Sequence, residues 1–379
     1  MKTQKIIWDD LGVKAEISVF APEGGVAEIH AILHVEPHGD VFSEQLSRVY
    51  AAEERLMDVP EIQGAKPVMK RYFLSDATNQ CPLMKDTPDC ACSYIQQQPL
   101  DGSKVGVWIY LHQGTEVYTE NGIVVSSHNG FKHLWQMGMC ENRGDSAWQT
   151  ECLLEKYEQA LQALGATLEQ NCIRTWFFVR DVDTQYGGMV RARRENFEEQ
   201  GLTSETHFIA STGIGGVPAD PRAIIQMGTY ALMGFEPDQQ RYLYARTHLN
   251  PTYEYGVTFE RGTCLEYGDR THAYISGTAS INNKGEVVHV GDIVGQMYRM
   301  WENVETLLAE AGTTFDDVMQ IIVYLRDLAD YDLVNRKFEE KFPNTPYIIT
   351  LAPVCRPTWL IEMECVAVKE RKNERFRNF

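Results

Sequence analysis

Ala273-Tyr-Ile-Ser-Gly-Thr-Ala-Ser-Ile281 reads as a β-strand that runs into an Asn282-Asn-Lys-Gly285 turn, because a β-branched, apolar run ends on a cluster of turn formers. Downstream, Met297, Met300, Trp301, Val304, Leu307, Leu308 and Ala311 recur at spacings of three and four, which places them on one face of a helix. Gly312 then supplies the left-handed residue that closes it. Residues 318–325, Val-Met-Gln-Ile-Ile-Val-Tyr-Leu, predict a second strand closed by Arg326-Asp327, and residues 334–342 a short second helix stopped near Pro343. Residues 347–351 and 359–368 complete the unit as strands.

The same order recurs upstream, and a repeat decides a fold before any other feature does. In the middle of the chain, residues 122–127 and 134–137 predict strands, Leu153, Tyr157, Ala160, Leu161 and Leu164 a helix face, and Gly165 its end. Residues 172–179 are a strand closed by Arg180-Asp181, Arg193-Arg-Glu-Asn-Phe-Glu-Glu199 mirrors Asn335-Arg-Lys-Phe-Glu-Glu340, and residues 224–231 mirror the final strand. A more degraded copy opens the chain: a strand at 28–35, a helix face of Phe42, Leu46, Val49, Tyr50, Leu56 and Met57, and strands at 68–73 and 105–111. The expected architecture is α+β, with three sheet-plus-helix units over residues 1–115, 116–250 and 251–379 covering one another as a pseudo-trimer. The alternative is a single α+β domain whose strand–helix–strand pieces look alike.

Composition is ordinary for a globular chain: 379 residues, 44% hydrophobic and 23% charged. The net charge of −18 disfavours nucleic-acid or anionic-membrane partners, and leaves room for a local cationic pocket. No run reaches the roughly 18–20 apolar residues of a membrane helix, and the first residues meet Asp9 and Asp10 before any apolar stretch. Nine cysteines without an export signal predict reduced thiols in a cytosol. There is no H-E-x-x-H pattern, and Gly213-Ile-Gly-Gly216 is too short for a phosphate loop and lacks its lysine. No cofactor and no metal are expected. Cys81, Cys90 and Cys92 could bind zinc, but their spacing fits no standard zinc knuckle, and free thiols are the alternative.

Comparing the terminal strands of the copies singles out two acids. Where the third copy has Glu362, the others have Gln226 and Gly106; where it has Glu364, they have Gly228 and Trp108. Glu362 and Glu364 share one strand face, and two buried carboxyls this close hold at least one proton, as a general acid requires. Arg356 at the entrance to that strand can clamp a carboxylate in a bidentate manner, and Arg261 is a second candidate. Ser276, Gly277 and Thr278 offer hydroxyls and an approachable backbone. Tyr253, Tyr255, Tyr267, Tyr274 and Tyr347 suit a ring-shaped polar ligand or a core. Cys355 beside Arg356 is either an inert thiol or a nucleophile.

Ile275-Ser-Gly-Thr278, Ala311-Gly312, Leu325-Arg-Asp327, Val334-Asn335 and Ile361-Glu-Met-Glu-Cys-Val-Ala367 resemble the Rid (YjgF-type) superfamily of small trimeric proteins. Over roughly residues 120–369, Ala210-Ser-Thr-Gly-Ile-Gly215, His289-Val-Gly-Asp292 with Gln296, and Val354-Cys-Arg356 before Leu360-Ile-Glu362 look like the chorismatases, single-chain relatives that hydrolyse the enolpyruvyl ether of chorismate. The resemblance implies a hydrolase or lyase of a small cyclic or enol-ether carboxylic acid. Glu362 and Glu364 would be its catalytic residues, and Arg356, Arg261, Tyr255, Ser276, Gly277, Thr278 and Tyr347 its substrate contacts. The imine-deaminase members carry an arginine after the proline of the penultimate strand, where Tyr347 follows Pro346 here, and Tyr255 stands where a chorismatase arginine is expected. The alternatives are therefore a Rid-type enamine or imine deaminase and a non-catalytic metabolite binder, each a monomeric pseudo-trimer or an oligomer of it.

Overall fold

Among the described residues of this computed structural model, 1–85 and 87–379, the strands form three six-stranded sheets of one topology. The first contains β1 (Lys2–Trp8), β2 (Val13–Phe20), β3 (Ala27–Val35), β4 (Lys66–Leu74), β5 (Ala91–Gln96) and β6 (Val105–Gln113), in the order β1-β2-β3-β6-β4-β5. The second contains β7 (Glu116–Glu120), β8 (Ile123–His128), β9 (Phe131–Cys140), β10 (Cys172–Val179), β11 (Ala210–Gly215) and β12 (Ile225–Met233), ordered β7-β8-β9-β12-β10-β11. The third contains β13 (Gln240–Leu243), β14 (Gly262–Glu266), β15 (Arg270–Ala279), β16 (Val318–Leu325), β17 (Tyr347–Leu351) and β18 (Ile361–Glu370), ordered β13-β14-β15-β18-β16-β17. In each sheet the only parallel pair is the outer one, β4–β5, β10–β11 or β16–β17. The chain is thus an α+β protein of three repeated sheet-plus-helix units arranged as a pseudo-trimer.

The helices are α1 (Phe42–Met57), α2 (Ala77–Gln80), α3 (Ser146–Ala163), α4 (Leu168–Asn171), α5 (Val182–Glu199), α6 (Ile293–Glu310) and α7 (Tyr331–Lys341). Asp145 caps α3 by accepting from Trp148 N at 2.9 Å, and Asp292 caps α6 by accepting from Gly295 N at 3.0 Å. Gly165 and Gly312 follow these helices with φ of 77° and 76°, the left-handed conformation the sequence assigned to them. The helix after the first crossing strand differs between units: four residues in α2, eighteen in α5 and eleven in α7. The longest of the three, α5, brings Tyr186 and Arg193 to the interface between the second and third units.

The sequence reading passed over β1 and β2. β1 is an edge strand whose side chains alternate between exposed and half-buried, so it has no apolar signal of its own. The third sheet also begins at β13, upstream of residue 250. The Asn282–Gly285 turn forms, but it closes an isolated bridge between Ile281 and Val287 rather than a hairpin of two long strands. Among the described residues no helix is long and apolar enough to cross a membrane.

One apolar cluster takes in residues of all three units, among them Trp108, Trp176 and Ile322, while the first and second units each keep a core of their own beneath their helices. A buried ion pair joins the first unit to the third: Arg270 Nη1 donates to Glu28 Oε2 at 2.6 Å, and His272 Nε2 lies 2.8 Å from the same oxygen. Tyr110 donates to the other oxygen, and the Arg270 guanidinium sits 4.3 Å from the ring of Phe379. Removing one member of such a pair leaves a dehydrated charge. Glu28→Gln is expected to lower the unfolding free energy by about 3–5 kcal/mol, read from the denaturant midpoint. Asp10→Asn, which breaks an exposed pair with Arg55, should leave the midpoint in place.

Candidate active site

β18 carries Glu362 and Glu364 on one face, opposite Tyr324 and Ile322 of β16. Both carboxyls are buried, and they have opposite fates. Glu364 Oε1 lies 3.2 Å from Arg71 Nη1 of the first unit and accepts from Trp176 Nε1 at 2.9 Å; Oε2 accepts from Arg174 Nη2 at 2.9 Å and from Thr212 Oγ1 at 2.5 Å, all three from the second unit. Burial opposes its ionisation, but Arg174, Arg71 and the hydrogen bonds from Thr212 and Trp176 outweigh burial and lower its pKa. Glu362 has less help. Burial, and next the negative charge of Glu364, push its pKa up to about 8, against the smaller pull of Arg174 and Arg261. It is therefore a carboxylic acid at neutral pH.

Glu362 lines a narrow cavity of about 50 Å³ between the second and third units. The third unit contributes Gly277, Arg261, Arg356, Cys355 and Trp359, and the second contributes Arg193, Tyr186, Ser211 and Gly213. The register of β15 on β18 slips between Ile275 and Thr278, a bulge that turns Gly277 toward the acid. A Cβ on Gly277 would collide with Glu362 Oε1 and stand 3.0 Å from Thr212 Cγ2, so the side chain is absent because the acid occupies its place. Arg261 is held by Asn250, whose backbone and side-chain oxygens each lie 3.2 Å from Nη2. Arg356 stacks 4.8 Å over Trp359 and reaches the carbonyl of Gly285 at 3.5 Å, which gives the Asn282–Gly285 turn a part in the site. Arg193, on α5, donates to Ser211 Oγ at 3.4 Å.

The cavity gathers Glu362, Arg261, Arg356 and Gly277 from the residues singled out in the sequence. Other expectations need correction. Glu364 is the anchor of an ion-pair cluster between the units and is not among the residues lining the cavity. Ser276 is a fastener: its hydroxyl accepts from Arg174 Nη1 and Ser211 N and donates to Glu260 O at 2.6 Å. Thr278 donates to the carbonyl of Ser276. The Gly277 N–H is already spent on Thr212 Oγ1 at 2.9 Å. Tyr347 lines a different cleft, between the third and first units, and donates to Asn335 Oδ1 at 3.0 Å. The side chain of Tyr255 lies outside the described residues. Burial first, and the charge of Glu362 second, push the Cys355 thiol up to about 12, which favours the thiol over the thiolate. Among the described residues no group of three or more His, Cys, Asp or Glu side chains is placed to hold a metal ion.

Arg193, Tyr186, Arg174 and Arg71 escaped the sequence reading. The longer α5 carries the first two, and the mirrored Arg193-Arg-Glu segment was the one signal that could have exposed Arg193. The units also explain why one cavity carries the acid. Thr212, Ser93 and Ile348 occupy one register position, opposite Trp176, Arg71 and Ile322. At the first–second interface, Ser93 Oγ accepts from Gln226 Nε2 at 2.7 Å. At the third–first interface, Ile348 Cδ1 lies 2.8 Å from where a Cβ of Gly106 would be. In those two interfaces a hydrogen-bonded glutamine amide and an isoleucine side chain stand at the corresponding position.

Residues 267–369 match the family described as endoribonuclease L-PSP. The 3-aminoacrylate deaminase RutC of Acinetobacter baylyi is 35% identical over 97 residues, 25% of this chain and 76% of that protein. A RutC family protein of Pyrococcus abyssi is 37% identical over 100 residues, 26% of this chain and 78% of that protein. The crystal structure of a chorismatase superposes with a TM-score of 0.64 over 81% of this chain and 95% of that one, at 20% identity, a likeness of fold.

A carboxyl whose pKa rises on folding contributes stability in full below its unfolded value and loses it as pH rises through the folded value. For Glu362 that window runs from about 4.5 to about 8. Glu362→Gln is expected to melt at a higher temperature than the parent at pH 9 and at the same temperature at pH 4, as measured by calorimetry.

Proposed function

The chain belongs to the Rid superfamily, the family of the RutC proteins, and from that premise we propose that the cavity between its second and third units hydrolyses a small enol-ether carboxylic acid, with Glu362 as general acid. The observation that carries this reading is the placement of Glu362: a buried carboxyl facing a cavity whose cationic lining is Arg193, Arg261 and Arg356, where burial and the charge of Glu364 push its pKa up to about 8. A general acid works best with a pKa near the operating pH. Guanidinium groups match carboxylates in bidentate geometry, and each charge-assisted contact is worth about 1.5–3 kcal/mol.

Glu362 would give its proton to the methylene carbon of the enol ether, the double-bond pair forming the new C–H bond and leaving an oxocarbenium ion at the neighbouring carbon. Water adds there and its proton returns to the Glu362 carboxylate. The resulting hemiketal breaks its C–O bond, so that enol ether plus water yields a keto acid and an alcohol. Burial suits this step, since a dry cavity keeps the acid protonated and strengthens the arginine contacts. The fold shared with a chorismatase supports the reading.

A second reading is hydrolysis of an enamine or imine at the same cavity, favoured by the likeness to a 3-aminoacrylate deaminase. Protonation of an enamine carbon needs the same acid. The absence of an arginine after Pro346 does not count against it, because Tyr347 faces another cleft and the guanidinium groups here come from elsewhere.

Chorismate, with pyruvate release followed by a coupled lactate dehydrogenase assay, tests the first reading. Glu362→Gln should slow release by roughly 10²–10⁴-fold, and the parent rate should fall as pH rises through about 8. Hydrolysis of aminoacrylate without pyruvate release from chorismate would establish the second reading instead. Thermal stabilisation by carboxylic acids without turnover of either would leave a binding protein. Gly277→Ala should impair whichever reaction occurs, because the added methyl group displaces the Glu362 carboxyl.

A further inference from the structure

The first unit carries a polar cluster that the proposed reaction does not use. Cys90 ends a turn, its N–H bonded to Thr87 O at 3.1 Å, and Cys92 follows two residues later on β5. Thr87 Oγ1 lies 2.7 Å from Cys92 Sγ, and the two thiols are near enough to shift one another's titration. Lys70 of β4 stands opposite Cys92 in the parallel register and acts on both sulfurs. Its ammonium is 2.6 Å from Glu53 Oε2, and Tyr72 donates to Glu53 Oε1 at 2.6 Å. The Tyr72 and Tyr94 rings stack at 5.3 Å beside it. Cys90 is buried and Cys92 half-buried, so a small oxidant reaches the second before the first.

We propose that Cys90 and Cys92 form a redox-active dithiol that reacts with peroxides, Cys92 being the attacking thiol and Cys90 the resolving one. The Cys92 thiolate attacks one peroxide oxygen; the O–O bond breaks, hydroxide leaves and is protonated, and Cys92 becomes a sulfenic acid. Cys90 sulfur then attacks Cys92 sulfur, the S–O bond breaks, and a second water leaves. Two thiols and one hydrogen peroxide give one disulfide and two waters. The environment suits these roles. The Cys90 thiol, with Thr87, Tyr94 and the charge of Lys70, lowers the Cys92 thiol to about 7 despite burial. Desolvation pushes the half-buried Cys81 up to about 11. The disulfide would form at the interface with the second unit: the Cys92 carbonyl packs where a Cβ of Gly138 would stand 2.7 Å away, and Ser93 holds Gln226.

The test treats the reduced full chain with one equivalent of hydrogen peroxide at pH 7 and maps its peptides by mass. The expected result is loss of two hydrogens from the peptide holding Cys90 and Cys92, reversed by dithiothreitol. In Cys90→Ser a sulfenic acid should instead accumulate at Cys92 and be trapped by dimedone. Iodoacetamide should alkylate Cys92 in the untreated protein roughly tenfold faster than Cys140. Oxidation appearing first at Cys81, Cys140 or Cys152 while Cys90 and Cys92 stay reduced would overturn the proposal, as would alkylation of Cys92 no faster than Cys140. Both readouts use the unmodified chain, so a misfolded variant cannot decide the outcome.

Discussion

The carboxylate of Glu364 is dehydrated, and dehydrating a charge costs several kcal/mol unless its lone pairs are met. Four donors meet them, Arg71 from the first unit and Arg174, Trp176 and Thr212 from the second. None of the three units can satisfy that group alone. Arg71 and Arg174 are themselves buried and would be stranded without it. This shared dependence couples the three sheets, and it brings Thr212 against Gly277 and thereby shapes the neighbouring cavity.

It also sets the electrostatics of Glu362. Arg71, Arg174 and the hydrogen bonds of Thr212 and Trp176 converge on Glu364, so at the acid two residues earlier burial and a fixed negative charge outweigh the pull of Arg174 and Arg261. Adjacent carboxyls with opposite ionisation are the pattern of an acid assigned to proton transfer beside one assigned to structure. The two differ because of what the other units present to each, since both lie on one strand face.

Three repeated units need not carry three equal interfaces. At one register position Thr212, Ser93 and Ile348 meet a glutamate-and-glycine pair, a glutamine and a glycine in turn. Tyr186 and Arg193 of α5 line the cavity that holds Glu362, and Tyr331, Asn335 and Glu339 of the shorter α7 line the third–first cleft. The first–second interface instead holds the Cys90–Cys92 pair beside Lys70, and the third–first interface keeps a separate cleft lined by Lys14, His34, Asp101 and Tyr347.

Residue order by itself determined the repeat and most helix ends, and it set Glu362 and Glu364 apart from their counterparts in the other two units. Apolar spacing, capping glycines and a strand-by-strand comparison are local properties that survive in one dimension. It could not separate Glu362 from Glu364, nor draw Ser276 and Thr278 away from the ligand, because alternation along a strand assigns a face and not a neighbour. Arg71 and Arg174 lie 293 and 190 residues from Glu364, and Arg193 comes from a helix of another unit. Only the packing of three sheets brings those guanidinium groups within bonding distance, and distance in a dry interior is what makes one carboxyl an anion and the next an acid.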